Sequence, residues 1–469
     1  MRFHGHLPIR TFLFAILAIA TTLELAGATI SVSPFAAEGV VDDNLCSLHE
    51  AIAEANTTGT HSGGVGGVLD ECMPGSAGAD IISLAHGGLY NLTEIDNIDF
   101  GGNGLPVIRS VISIYGHSAT LRRDPSYVTC DGTYPDFRLF RVDGAGAHLT
   151  VDGLTITNGC ADASHRGGAI YVTGGARLTV GASTITGNRT AGSDGAGIAV
   201  WDGDVITIRA STITENTCQY CCGGGIYIRA GNLVVNSSTI SRNIAEDGGG
   251  ICLRGGTGSV PVNRITLNNS TVSANQANPG DGGGIYSTSD GTTISALTLN
   301  SSTVTKNSSG GIFNAGLGAW TYARNSIVAD QWYGQDCYNS AGSFQSYGYN
   351  IESGTSCGFT AAGDQQLVDP VGLLEFGDHG GGTETSALLA DSPAIDAGDP
   401  GGCYGDEDGD NVLDSVPFYA DQRGSGYWRP IDGNGDDIER CDIGAVEFQM
   451  LFMDGFETGD TERWTVAVP

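Results

Sequence analysis

An eleven-residue phrase recurs five times at one fixed internal spacing, beginning at Leu178, Ile206, Leu233, Ile265 and Leu297. Two residues after each start stands Val180, Ile208, Val235, Leu267 or Leu299, and five after it stands Ser183, Ser211, Ser238, Ser270 or Ser302. Seven on is Ile185, Ile213, Ile240, Val272 or Val304, and the phrase closes at ten with Asn188, Asn216, Asn243, Asn275 or Asn307. Between copies lies a glycine-rich phrase of the type G-G-G-I-Y, whose isoleucines are Ile170, Ile198, Ile226, Ile251, Ile285 and Ile312. A repeat of this length is the unit of structure.

Alternating β-branched residues without a helical period make each short segment a strand with one face in and one face out. The segments are too short for βαβ crossovers, so successive copies bury their apolar faces by stacking like on like. That predicts a solenoid of parallel strands, a β-helix. Neighbouring coils then lie about 4.8 Å apart, isoleucine stacks on isoleucine, and the Asn amides can hydrogen-bond as a ladder along the axis. Repetition alone specifies a scaffold, not a site.

Composition agrees: 73 glycines, four methionines and 16% charged residues suit turn-dense β architecture. A net charge of −32 argues against nucleic acid or an anionic membrane surface as partner, because phosphate binding needs clustered cations. Residues 1–28 read as an export signal: Arg2 and Arg10, an apolar run from Thr11 to Ala20, and Ala26-Gly27-Ala28 as the cleavage site. With that segment removed, no stretch approaches the ~18 apolar residues of a membrane helix, and a secreted or cell-surface location is expected. Export also makes the 12 cysteines disulfide formers. Proximity suggests Cys46 with Cys72, Cys130 with Cys160, Cys337 with Cys357, and Cys403 with Cys441. For Cys218, Cys221, Cys222 and Cys252, disulfides are favoured over zinc, since no histidine is near.

Along the chain, residues 29–100 form an entry region. Within it Ser47 and Glu50 make a capping box, and Leu48, Ala51, Ile52 and Ala55 fall on one face of a short helix. Such a helix suits the open end of a β-helix, which otherwise exposes unpaired strand edges. Repeats occupy 101–330, an acidic loop-rich region 331–450, and a short tail 451–469. From Asp391 to the end there are 19 acidic residues against 4 Arg, so charge concentrates where the repeat has stopped.

The segment C-S-L-H-E-A at 46–51 resembles the signature of the CSLREA domain, with His49 where that family usually has Arg. The run D-H-G-G-G-T-E-T-S-A-L-L-A-D-S-P-A-I-D-A-G, followed by D-Q-R-G, R-P and C-D-I-G-A-V-E, is similar to the closing region of choice-of-anchor Q proteins. The repeats also resemble those of polymorphic outer-membrane proteins. These resemblances imply a bacterial exported protein with a right-handed parallel β-helix of the pectin-lyase-like kind, and they imply fold far more than function.

Four constellations depart from the scaffold. Asp406, Asp408, Asp410 and Asp414 stand at positions one, three, five and nine of a loop, the oxygen-rich spacing that calcium takes, and Asp432, Asn434 and Asp436 repeat it. Four residues before a repeat isoleucine come Asp194, Asp247 and Asp281, carboxylates expected to stack at a coil edge. Directly after the isoleucines come Tyr171, Tyr227, Tyr286 and Phe313, expected to point outward as a stripe suited to sugar rings. Finally, the gap from repeat isoleucine to next phrase is 8, 8 and 7 residues, then 14 after Ile251 and 12 after Ile285. Two longer loops on adjacent coils would project together, and loops on a rigid scaffold carry binding.

The sequence thus predicts an exported, calcium-stabilised β-helix that binds a polysaccharide or cell-surface glycan. A polysaccharide lyase or glycoside hydrolase is the alternative, and a purely structural envelope protein a third. No catalytic residues are assigned, because neither pectate lyase motifs nor the N-x-D, D-D, G-H-G and R-x-K set of polygalacturonases is present.

Overall fold

The computed structural model describes residues 27–449 apart from 35–37, 40–42, 58–71, 77, 256–261, 290 and 411. Residues 1–26 of the expected signal segment, the tail 451–469 and Asn411 of the acidic loop lie outside the described residues.

One coil shows the plan. Gly203–Arg209 forms a first face, Thr212–Thr214 a second, Thr217–Cys218 a short corner strand, and Ile226–Ile228 a third face. The first-face ladder runs in parallel register from Thr29–Ser31 to Ser343–Ser346. The second runs from Leu89–Leu92 to Ile351–Glu352, and the third from Phe140–Asp143 to Cys337–Asn339. Parallel strand pairing therefore continues beyond residue 330, where the phrase is no longer readable, as far as Glu352, with one further parallel bridge between Ile351 and Gln365.

Each phrase position has one structural role. The residues at the start and two on point into the core from the first face, and those at seven point in from the second. The six repeat isoleucines stack in register on the third face, all buried. Burying each such side chain stabilises the coil by about 1.5–3 kcal/mol. Serines and asparagines line the two corners as ladders. The Ser211 N–H donates to Oγ of Ser238 (3.1 Å), and Asn216 Nδ2 donates both to Oδ1 of Asn243 (3.0 Å) and to the Ile185 carbonyl (3.0 Å) of the preceding coil. The ladder thus ties each coil's corner to the backbone of the coil before it. Each corner is turned by a residue in the left-handed region, such as Ala210 (φ 47°) and Glu215 (φ 58°).

The helix α1, Leu48–Ala55, has the capping box expected from Ser47 and Glu50. Leu48, Ala51, Ile52 and Ala55 join the core at the N-terminal end. Its outer side is tied to the 104–110 segment, with His49 Nε2 donating to the Gly104 carbonyl (2.8 Å) and Ser110 Oγ donating to the Ala55 carbonyl (2.8 Å). The Gly39 N–H donates to the other His49 ring nitrogen, which fixes this tautomer.

The four expected disulfides are formed, joined by Cys218–Cys221 and Cys222–Cys252. The acidic region is not a free terminus. From about 396 to 447 it returns as a strap along the outside of the second face and its corner with the first. Gln422 accepts from Thr271 Oγ1 and donates to Thr239 Oγ1 (2.8 Å), while the Ala445 N–H donates to Thr303 Oγ1 (3.0 Å). Buried Arg429 locks the strap, pairing with Glu447 and donating to Oδ1 of Asn269 and the carbonyl of Gly444. Burial pushes the Asp442 carboxyl beside it well above the usual range, with Glu447 adding to the effect.

Candidate functional site

The outward row of the third face is Arg141, Tyr171, Ala199, Tyr227, Cys252, Tyr286, Phe313 and Tyr338, in register. The expectation of an exposed stripe fails for two members: Tyr171 and Tyr227 are each 1% exposed. Phe100 stacks on Tyr171 at 5.5 Å, and Tyr227 packs with Trp201 and the Cys222–Cys252 bridge, so that burial pushes its phenol up to about 12. Tyr286, Phe313 and Tyr338 remain partly open, but they stack on each other at 5.3 and 4.7 Å with planes within 20°. Their π-faces are therefore turned to each other along the axis, and mainly ring edges meet solvent.

The aspartates of the coil edge cap backbone. Asp194 Oδ1 accepts the Cys222 N–H (3.1 Å), with Arg166 alongside at 3.4 Å, and Asp247 Oδ1 accepts the Asp281 N–H (3.0 Å). Partial burial, then the neighbouring Asp247 charge, raises the Asp281 carboxyl.

In the acidic loop, carboxylate oxygens of Asp406, Asp408 and Asp410 lie within 4.8 Å of one another. Asp414 stands apart in role, accepting the Glu407 N–H on Oδ2 (2.8 Å). Both runs also bind their own backbone: Asp406, Asp408 and Asp410 accept the N–H groups of Gly409, Asp410 and Val412, and in the second run Asp432 accepts those of Gly435 and Asp437 while Asn434 and Asp436 accept those two residues on. The Asp406 loop rests on the first face, where Asn268 grips the Asp406 backbone at both its N–H and its carbonyl.

Where the strap leaves the first face, a groove of about 390 Å³ opens. Register fixes its layout. One row along the axis is Arg264, Ala296, Trp320 and Ser343; the next is Thr266, Thr298, Tyr322 and Gln345; the third is Asn268, Asn300 and Arg324. Ala296 and Thr298 form a low floor. Trp320 and Tyr322 rise on one side, while Asp406 and Leu413 of the loop wall the other. Trp320, 39% exposed, has only Ala296 and Ser343 as axial neighbours, so no second ring covers its face. Its plane is tilted 44° to that of Tyr322, which stacks on Tyr347 at 5.7 Å. Burial, then the Tyr347 phenol, raises Tyr322, and the Arg264 charge opposes them. The expected joint projection of the two lengthened loops falls on residues 256–261 and 290, outside the described residues; Val262 and Ile294, which follow those loops in sequence, are paired neighbours lining the groove.

Trp320, Tyr322 and Tyr347 escaped the sequence reading, although a signal was there. Residues 321–331 are a worn copy of the phrase, with Thr321 and Ala323 for its apolar start, Ser326 and Val328 in place, and Gln331 for Asn. Gln331 continues the ladder, accepting the Asn307 N–H (3.0 Å). Aligning that copy puts Trp320 and Tyr322 on the outside, where rings cannot be core.

An uncovered indole face, small floor residues and flanking guanidinium and amide groups are the chemistry that flat, hydroxyl-rich rings require of a partner surface. No curated protein and no solved structure matches the chain significantly. Residues 139–328 match the family model described as right handed beta helix region, and with the ladders above they make this molecule an all-β, right-handed parallel β-helix.

Proposed function

We propose that this is an exported β-helix that binds glycan chains in the groove of Trp320, Tyr322 and Tyr347. The observation that carries the reading is the uncovered Trp320 face beside a low Ala296–Thr298 floor, in a fold whose other aromatic row stacks on itself. Burying a ring of this size against a sugar supplies most of a modest affinity, and the adjacent polar groups supply orientation. The surface row of Tyr286 and Phe313, with Asp247 and Asp281, has a secondary part at most.

Calcium belongs to the same proposal in a structural role. Asp406, Asp408 and Asp410 offer the hard oxygens that this ion takes, on the loop that forms one wall of the groove. Incubating the exported protein with a panel of polysaccharides, scoring both retention and new reducing or unsaturated ends, tests the reading. Retention without cleavage supports it, new chain ends favour a lyase or hydrolase, and neither result leaves the groove without a glycan ligand.

A further inference from the structure

Positive charge in the groove sits oddly in a chain of net charge −32. Two guanidiniums line it, Arg264 and Arg324. Arg264 has no hydrogen-bond or carboxylate partner among the described residues, and the neutral phenol of Tyr322 lies near it. Arg324 lies over the Tyr347 ring at 5.7 Å, with Asp399 no nearer than 3.9 Å. Both guanidiniums are held at the groove without being spent on an internal ion pair of good geometry.

Their separation follows from the register. Arg264 is two coils before Trp320 in the same row, and Arg324 is four residues beyond Trp320 on one strand. Steps of about 4.8 Å between strands and about 3.3 Å along them put the two Cα atoms on the order of 16 Å apart. The diagonal between them crosses Thr298, with Trp320 and Tyr322 on one flank and Asp406 on the other. A ligand lying on it meets a cation, then an uncharged aromatic stretch, then a second cation.

Building on the glycan-binding reading, we infer that the groove selects a sparsely charged acidic glycan. Its anionic groups, carboxylate or sulfate, are separated by neutral sugars, so that Arg264 and Arg324 each take one anion while the sugars between stack on Trp320 and Tyr322. A uniform polyanion fits less well. It would bring many further charges toward an acidic protein surface.

The test is calorimetric titration of the full exported chain with defined oligosaccharides. The probes are alternating uronate and neutral sugars, the same chain with its carboxyls reduced to alcohols, a neutral chain bearing spaced sulfates, and a homopolymer of uronates. The alternating or the spaced-sulfate chain should bind about tenfold or more tighter than both the reduced chain and the homopolymer. Arg264→Gln and Arg324→Gln should each remove that preference, weakening the acidic chain far more than the reduced one. If the reduced chain binds as tightly as its acidic parent, or the homopolymer binds best, the charge-spacing inference is overturned while glycan binding stands. If none of the four binds and unrelated neutral glycans also fail, the glycan reading itself falls. Circular dichroism of both variants separates a lost contact from a lost fold.

Discussion

Asn268 holds Asp406 from both sides, its Nδ2 donating to the Asp406 carbonyl at 2.7 Å and its Oδ1 accepting the Asp406 N–H at 3.2 Å. One residue on the outer row of a regular coil thereby fixes the backbone of an acidic loop 138 positions away. Through it the scaffold, the strap and the wall of the groove become one object. Asn268→Ala should release the loop without touching the core. It removes both hydrogen bonds to the loop together with those to Asn236 and Asn300 on the neighbouring coils, at a cost of about 1–3 kcal/mol for each buried group left unpaired, and proteolysis after Asp406 should quicken while the remaining coils stay protected in hydrogen exchange.

The internal ladder makes a different prediction. Asn243 Oδ1 accepts from both the Asn216 side chain and the Asn216 N–H, and its own amide donates to the Ile213 carbonyl and to Asn275. Asn243→Ala leaves buried donors and a carbonyl without partners, so stability should fall by roughly 2–4 kcal/mol. Asn243→Asp should be worse, since it buries a charge with no cation beside it. Thermal melting followed by circular dichroism reads both.

The strap lock carries a pH signature. Burial raises both the Asp442 and the Glu447 carboxyls in the folded state, with the Arg429 guanidinium opposing it. A folded pKa above the unfolded one means that the stability tied to these groups is greatest at low pH and is lost as pH rises through the folded values. Arg429→Met takes away the compensating charge, costing about 3–5 kcal/mol at neutral pH. The loss should shrink as the buffer is acidified and both carboxyls bind protons. A loss constant across pH would contradict this account of the lock.

Calcium makes a prediction of its own. Chelation should lower the melting temperature of the exported protein, and added calcium should restore it. Asp408→Asn with Asp410→Asn should abolish that response, whereas Asp432→Asn, outside the cluster of Asp406, Asp408 and Asp410, should leave it intact. An unchanged melt on chelation would remove calcium from the proposal.

The scaffold was legible because each coil repeats the same demands. An inward Leu or Ile, a corner Ser and a corner Asn recur at fixed offsets, and periodicity alone identifies them. The strap was not legible, because its contacts join Asn236 to Glu407 and Thr239 to Gln422 across 171 and 183 residues through loops without a period. The aromatic row was read one step too simply. Alternation placed Tyr171 and Tyr227 outside the sheet, as they are, but said nothing of the Phe100 segment and the Trp201 side chain that cover them. The groove was missed for a different reason: Trp320 stood in a copy too worn to be counted.

The most direct measurement is the affinity of the exported protein and of Trp320→Ala for the best-retained glycan of a broad panel, with Trp332→Ala as the control. Trp332 is exposed but lies outside the groove. The account predicts that Trp320→Ala weakens binding about tenfold or more, with the melting temperature held and the control unchanged. Equal affinity for wild type and Trp320→Ala, or a loss confined to Trp332→Ala, would contradict it.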